Sequence, residues 1–314
     1  MFLKKIVFNK VFNHPSVKET PPVLLDIGAS GDIHKEWRSI AKYCICLAFD
    51  ADDRDFNISE KDNQGYKKLY TINRVVSDKN IKKHDFYLTK SPHCSSSLKP
   101  LNNSLKDWNF SYLFEIVDEV KVPSCTLSDV LKDCNLDRID WYKSDSQGTD
   151  LRIFRTLSRD LQKKMLVCEF EPGIIDAYTD EDKLISLMKY LENLPFWVCD
   201  MVIKGSQRIK IEDRNNLSYF QRKHISSFLK FSPCYCEISY ISDFSEFSEI
   251  RSTLIGWVFA IIKKQYGFAL HLARLGKENT NDDIFNFLYK VTPIFLISGY
   301  PVLMKNFLKK VFFK

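Results

Sequence analysis

Two hydrophobic periods alternate along this chain. Val23–Ile27, ending at Gly28, and residues 43–49 (YCICLAF) are short apolar runs bounded by turn residues, the pattern of strands buried on both faces. Residues 69–76, 85–88, 120–122, 139–143 and 165–170 repeat that strand character. Between them, 33–43, 126–134 and 149–157 read as helices, with Thr126 or Ser124 placed to cap the second. Over 181–194, Leu184, Leu187, Met188, Leu191 and Leu194 fall on one helical face. Residues 196–201 and 208–211 read as a hairpin turning near Lys204–Gly205. Strand and helix alternating from 23 to about 195 predict an α/β fold, a mainly parallel, doubly wound sheet closed by that antiparallel hairpin. From about 217 the pattern turns helical and aromatic. The expected organisation is a basic amphipathic arm at 1–20, a sheet domain at 21–216 and a helical appendage at 217–314.

Composition narrows the function classes. Among 314 residues, 45% are apolar and 27% charged, which suits a globular protein and excludes global disorder. The net charge of +6 is concentrated at the ends: Lys4, Lys5, Lys10 and Lys18 at one, Lys305, Lys309, Lys310 and Lys314 at the other, with no acid among them. The body between is balanced and offers no field for nucleic acid. Basic ends interleaved with Phe2, Ile6, Phe8, Phe307 and Phe312 suit either peripheral contact with an anionic membrane or helical ends packed on the domain, and packing is the preferred reading. Nine cysteines are an odd number without the spacing of a disulfide scaffold, and the C-x-C pairs Cys44/Cys46 and Cys234/Cys236 lie in apolar, strand-like settings with no histidine close to either. They read as buried thiols rather than a zinc site, which implies a reducing cytoplasm, with the inner membrane face as the place any peripheral contact would be made. The apolar stretches at 254–262 and 291–304 are cut by Lys263 and Lys264 or by Pro293 and Pro301, and the start of the chain lacks a leader pattern. No membrane span is expected.

The candidate chemistry lies at strand ends, where doubly wound sheets bind ligands. Asp26, Ile27, Gly28, Ala29, Ser30, Gly31 and Asp32 form an acid-led turn of small residues that lets a ligand approach the backbone. The second strand ends Asp50-Ala51-Asp52, and an acid about 20 residues after such a loop can bond both hydroxyls of a ribose. Asp53 and Asp55 read as a solvated turn.

With these and later motifs in family order, the chain resembles the FkbM family of S-adenosylmethionine-dependent methyltransferases of polysaccharide gene clusters. Residues 26–31 resemble its glycine motif, Val75-Val76-Ser77-Asp78 the stretch after its third strand, residues 139–151 (IDWYKSDSQGTDL) its central motif, and Cys168-Glu169-Phe170-Glu171-Pro172 its fifth strand end. The resemblance implies a Rossmann-like fold and a cofactor site at Asp26, Gly28, Ala29, Ser30, Gly31, Asp50, Ala51, Ser77 and Asp78. It also implies a glycan or other hydroxyl-bearing acceptor. Asp145 is the first candidate base or, alternatively, a helix cap; Lys143 is its ion-pair partner or orients the acceptor, and His93 is a second candidate base. Gln147, Gly148, Glu169, Glu171, Ser95 and Ser96 are candidate substrate contacts, and Glu169 or Glu171 could join Asp145 on a divalent metal. No cluster has dependable metal-ligand spacing, so no metal is assigned. Asp32 departs from the family's usual glycine, and it would disfavour the cofactor's carboxylate unless it turns outward. Two alternatives remain: a metal-dependent nucleotide-sugar glycosyltransferase using Asp50-Ala51-Asp52, and a cofactor-binding relative without turnover.

Overall fold

The computed structural model describes residues 2–29, 31–52, 54 and 60–297. Its strands in chain order are β1 (Val23–Ile27), β2 (Ile45–Phe49), β3 (Lys68–Ile72), β4 (Val75–Val76), β5 (Lys83–Thr89), β6 (Ile116–Cys125), β7 (Trp141–Ser144), β8 (Val167–Phe170), β9 (Phe196–Ser206) and β10 (Ser232–Ser242). Seven form one sheet in the order β3-β2-β1-β7-β8-β10-β9, while β4, β6 and β5 form a small second sheet. The first five strands of the large sheet are parallel, and β10 runs antiparallel to both of its neighbours, β8 and β9. This is a mixed α/β, doubly wound sheet, as the alternation predicts.

Successive strand residues face opposite sides. Leu24, Trp141 and Val167 join one apolar cluster, and Leu25, Tyr142 and Cys168 the other. The first cluster includes residues of the helix Phe2–Phe12 and of the helices Ile250–Ile262, Tyr266–Asn279 and Asp283–Ile297. The second includes residues of the helices Leu127–Asp133, Asp150–Arg155 and Leu184–Leu191. Thr126 caps the first of these by accepting from Asp129 N, one of the two expected caps. A buried bidentate pair fastens the other layer: Arg251 Nη1 and Nη2 donate to Asp140 Oδ1 and Oδ2 at 2.8 and 2.9 Å.

Three expectations change. The antiparallel partner of β9 is not 208–211 but β10, which lies 25 residues beyond the end of β9 and is inserted between β8 and β9. A boundary at 216/217 therefore cuts the sheet, and the region expected to be a helical appendage supplies one of its inner strands. Residues 33–43 form the 3-10 turns Lys35–Ser39 and Ala41–Tyr43 instead of a regular helix. The amino-terminal arm is a helix with Val7, Phe8, Val11 and Phe12 buried, and Phe8 meets Trp257 edge-on at 6.4 Å. The carboxy-terminal lysine-rich stretch lies outside the described residues. Among the described residues, no helix is long and apolar enough to cross a membrane. All nine cysteines are free thiols, seven of them buried.

Candidate active site

Strand order reverses at β1, which has β2 on one side and β7 on the other. A crevice opens at the carboxyl ends of strands at such a point, and here Gly28 and Asp145 meet in it. Asp145 N donates to Ile27 O at 3.0 Å, which carries the β1–β7 ladder one step past both strands. Gly28 has φ +78°, and a Cβ there would lie 2.2 Å from Asp145 O. Glycine is required by backbone angle and by space alike. The amides of Gly28 and Ala29 both donate to Phe49 O at 2.9 Å, which ties the turn to the end of β2.

The crevice, of about 80 Å³, is lined by Gly28, Asp50, Ala51, Val76, Phe86 and Asp145, among others. A second cavity, of about 540 Å³, adjoins it and includes Phe110, Phe114, Tyr178, Tyr235, Glu171 and Glu181 in its wall. His93, Asp145 and Gln147 line both. A third, polar cavity of about 240 Å³ includes Asp145 and Glu171 with Lys143, Glu169, Glu237 and Lys263. Asp145 thus stands where three spaces converge.

Its environment is defined by its neighbours. Gln147 Nε2 donates to Asp145 Oδ1 at 2.5 Å. Gln147 is itself fixed in a left-handed turn (φ +54°), and its Oε1 lies 2.9 Å from the Tyr178 hydroxyl. Burial raises the Asp145 carboxyl to about 6, against the opposing pull of the Lys143 ammonium and the Gln147 bond. Burial and the nearby Asp145 charge push Glu171 further, to about 9, so at neutral pH it holds its proton. Asp50 is likewise raised to about 6 by burial, while its Oδ1 accepts from Asp52 N at 2.8 Å.

Asp145 is not a helix cap. The helix that follows has Thr149 at its N-cap with no side-chain cap bond, and Asp150 at its start ties the strand ends instead: its Oδ1 accepts from Ser144 Oγ, Ser146 N and Ser146 Oγ, and its Oδ2 accepts from Glu171 N at 3.0 Å. One buried carboxylate thereby joins the ends of β7 and β8. Lys143 does not pair with Asp145 but donates to Asp26 Oδ1 at 2.7 Å. Burial would lower the lysine, yet Asp26 and Asp145 together raise it above its ordinary value.

Several predicted residues lie elsewhere than in the crevice wall. Asp26 is fully buried beneath the turn, where its Oδ2 accepts from His34 N at 2.8 Å, so it shapes the loop rather than facing a ligand. Ser77 is buried and its Oγ accepts from Lys79 N, Asp78 is exposed, and it is Val75 and Val76 that line the crevice. Ser96 Oγ donates to Gln147 O at 2.7 Å, whereas Ser95 does line the crevice, its Oγ accepting from Arg54 Nη2 and Thr89 N. These bonds draw the segment 92–97 across the crevice. Gly31 has φ +72° and is exposed, Gly148 lines the larger cavity, and Ser30, Asp53 and Asp55 lie outside the described residues. Asp32 turns outward, 3.0 Å from Arg38 Nη2, so the unfavourable contact feared from its charge does not arise.

Two metal hypotheses meet cations already in place. Asp52 is buried, and Arg54 Nε and Nη2 donate to its two oxygens at 2.8 and 2.5 Å. Burial opposes its charge, but the Arg54 and Ser95 bonds outweigh it and hold the carboxyl below its usual range. The second acid of an Asp-x-Asp motif is therefore occupied. Glu169 faces the polar cavity, where Lys263 Nζ lies 2.7 Å from it and 3.3 Å from Glu36; His34 Nε2 is 3.1 Å from Glu169. His34, Glu36 and Glu169 are spaced to hold an ion, but the Lys263 ammonium already lies between the two acids and pairs with both.

The sequence reading missed the aromatic wall of the larger cavity. Phe110, Phe114 and Tyr178 come from stretches assigned to no strand or helix, and Tyr235 from within the supposed appendage. The alternation of Cys234, Cys236, Ile238 and Tyr240 inward along β10 was the available signal.

A family model described as the methyltransferase FkbM domain matches residues 41–196. The span begins after the glycine turn and ends at the first residue of β9. No curated protein and no solved structure matches the chain.

Proposed function

The chain belongs to the methyltransferase FkbM family, and from that premise we propose that it is an S-adenosylmethionine-dependent O-methyltransferase acting on a hydroxyl of a glycan or glycan precursor. The observation that carries this reading is the position of Asp145, in the wall common to the crevice and the larger cavity. The residues fit the cofactor. Gly28 keeps side-chain atoms off the crevice floor, Asp50 offers a carboxylate to a ribose, and Val75, Val76 and Phe86 form an apolar wall for a flat base. When bound, S-adenosylmethionine supplies a methyl group already activated on a sulfonium.

The chain's own part is to bind, align and deprotonate. The crevice is well below the ~300–1,000 Å³ of a usual ligand pocket. Entry of a nucleoside therefore requires the segment 92–97 to move off Gln147 and Arg54, and its return excludes water. Asp145 takes the acceptor's hydroxyl proton at Oδ2, with Oδ1 held by Gln147. A carboxylate titrating near 6 is ionised at neutral pH yet basic enough to assist. Glu171, protonated beside it, donates a hydrogen bond to a neighbouring oxygen of the acceptor. Aromatic rings and carboxyls in one chamber suit the apolar faces and hydroxyls of a sugar.

Transfer of labelled methyl from S-adenosylmethionine to a panel of neutral glycans tests this reading. The expected result is turnover that rises with pH through about 6 and falls at least ~100-fold in Asp145→Asn, with S-adenosylhomocysteine affinity retained. Undiminished turnover in Asp145→Asn would remove it from the base role.

A further inference from the structure

Between β9 and β10 the chain leaves the sheet for 25 residues, from Gln207 to Phe231. This excursion starts and ends at the mouth of the larger cavity, whose wall contains Gly205 and Ser206 on one side and Cys234 and Tyr235 on the other. Its base is fixed. Asn109 N donates to Gln207 O at 3.0 Å, Asn109 Nδ2 donates to Gln207 Oε1 at 3.2 Å, and Arg208 reaches Asp107 at 3.4 Å. Beyond that base it forms three short helices, Ile211–Asn215, Tyr219–Lys223 and Ile225–Phe228, none with a fully buried residue.

Two features of this excursion coincide. Tyr219, Phe220, Phe228 and Phe231 are 73, 61, 57 and 54% exposed. They are held in that state: Ser218 and Gln221 form a capping box under Tyr219 and Phe220, and Phe220 packs edge-on to Phe228 at 5.9 Å. The same 25 residues carry six cations (Arg208, Lys210, Arg214, Arg222, Lys223 and Lys230) against only Glu212 and Asp213. Exposed aromatic rings among basic side chains complement the boundary of a bilayer, where the rings enter the headgroup region and the cations meet anionic lipid.

We propose that residues 207–231 dock this protein on an anionic phospholipid surface. The excursion rather than the amino-terminal arm makes the contact, since the amino-terminal helix buries its apolar face on the helix Ile250–Ile262. Docking through 207–231 brings the mouth of the 540 Å³ cavity to the bilayer, where an acceptor anchored in lipid would meet it. That consequence rests on the methyl-transfer reading; the docking itself does not.

Co-sedimentation of the full chain with vesicles of phosphatidylcholine alone, or of phosphatidylcholine with one third phosphatidylglycerol, tests the proposal without cofactor or acceptor. The chain is expected to bind the anionic vesicles, to bind the neutral ones at least ~10-fold more weakly, and to release as salt rises. The combined variant Tyr219→Ser, Phe220→Ser, Phe228→Ser, Phe231→Ser is expected to lose at least ~10-fold in affinity, as is Lys223→Glu with Lys230→Glu. Both should keep the wild-type urea midpoint, because the altered side chains are exposed. A variant neutralised at Lys4, Lys5, Lys309 and Lys310 should still bind. The proposal is overturned by equal binding to neutral vesicles, by loss only in the chain-end variant, or by unaltered binding in the aromatic variant. It is also overturned if the wild type is a dimer in sedimentation velocity that the aromatic variant converts to monomer, which would assign the surface to a second copy.

Discussion

Replacing Lys143 with Met tests how the strand ends are held together. The lysine Nζ lies 2.7 Å from Asp26 Oδ1, and Asp26 has no solvent exposure while the lysine side chain keeps a fifth of its own. Methionine keeps most of the apolar stem but leaves Asp26 with the His34 amide as its sole hydrogen-bond donor among the described residues. Removing one partner of a buried pair costs about 3–5 kcal/mol. The penalty at pH 8 should therefore be about 3–5 kcal/mol. Urea unfolding at that pH measures this, with Lys143→Met/Asp26→Asn as the companion. The double variant, which leaves no unpaired buried charge, should be the more stable of the two. A single-variant loss under ~1 kcal/mol, or a double variant no more stable than the single one, would refute the reasoning.

Two further outcomes follow from the same geometry. Gly28→Ala places a Cβ 2.2 Å from the Asp145 carbonyl at φ +78°, and should destabilise the fold by about 2–5 kcal/mol in urea unfolding while weakening S-adenosylhomocysteine binding. Glu171, raised to about 9 from an unfolded value near ~4.3, contributes stability that is full below ~4.3 and disappears as pH rises toward 9. Glu171→Gln should accordingly gain on wild type across that window in thermal unfolding, by no more than about 1.4 kcal/mol per pH unit.

The sequence reveals the strands of the parallel sheet because each is an apolar run bounded by turn residues. Gly28, Asp50, Asp145 and Glu171 were therefore legible as strand-end groups, and the structure places all four around the converging cavities. Orientation was not legible. A one-dimensional motif does not show whether Asp26 faces a ligand or turns beneath its own loop to meet Lys143, 117 positions away. The same holds for Asp52, whose pairing with Arg54 removes the metal ligand that Asp50-Ala51-Asp52 suggests. β10 was hidden for a different reason. Its alternating Cys234, Cys236, Ile238 and Tyr240 follow a 25-residue excursion, and pairing across such a gap leaves no local turn signal. Asp32 shows the converse, for the sequence posed the condition that it turn outward and the structure meets it.

The account stands most directly on whether the crevice between Gly28, Asp50 and Asp145 takes the cofactor of a methyltransferase. Calorimetric titration of the full chain with S-adenosylhomocysteine decides it. Saturable binding is expected, weakened about 10–100-fold in Asp50→Ala, since each charge-assisted hydrogen bond contributes about 1.5–3 kcal/mol. A folded sample that binds none, or one whose binding is untouched by Asp50→Ala, would contradict it.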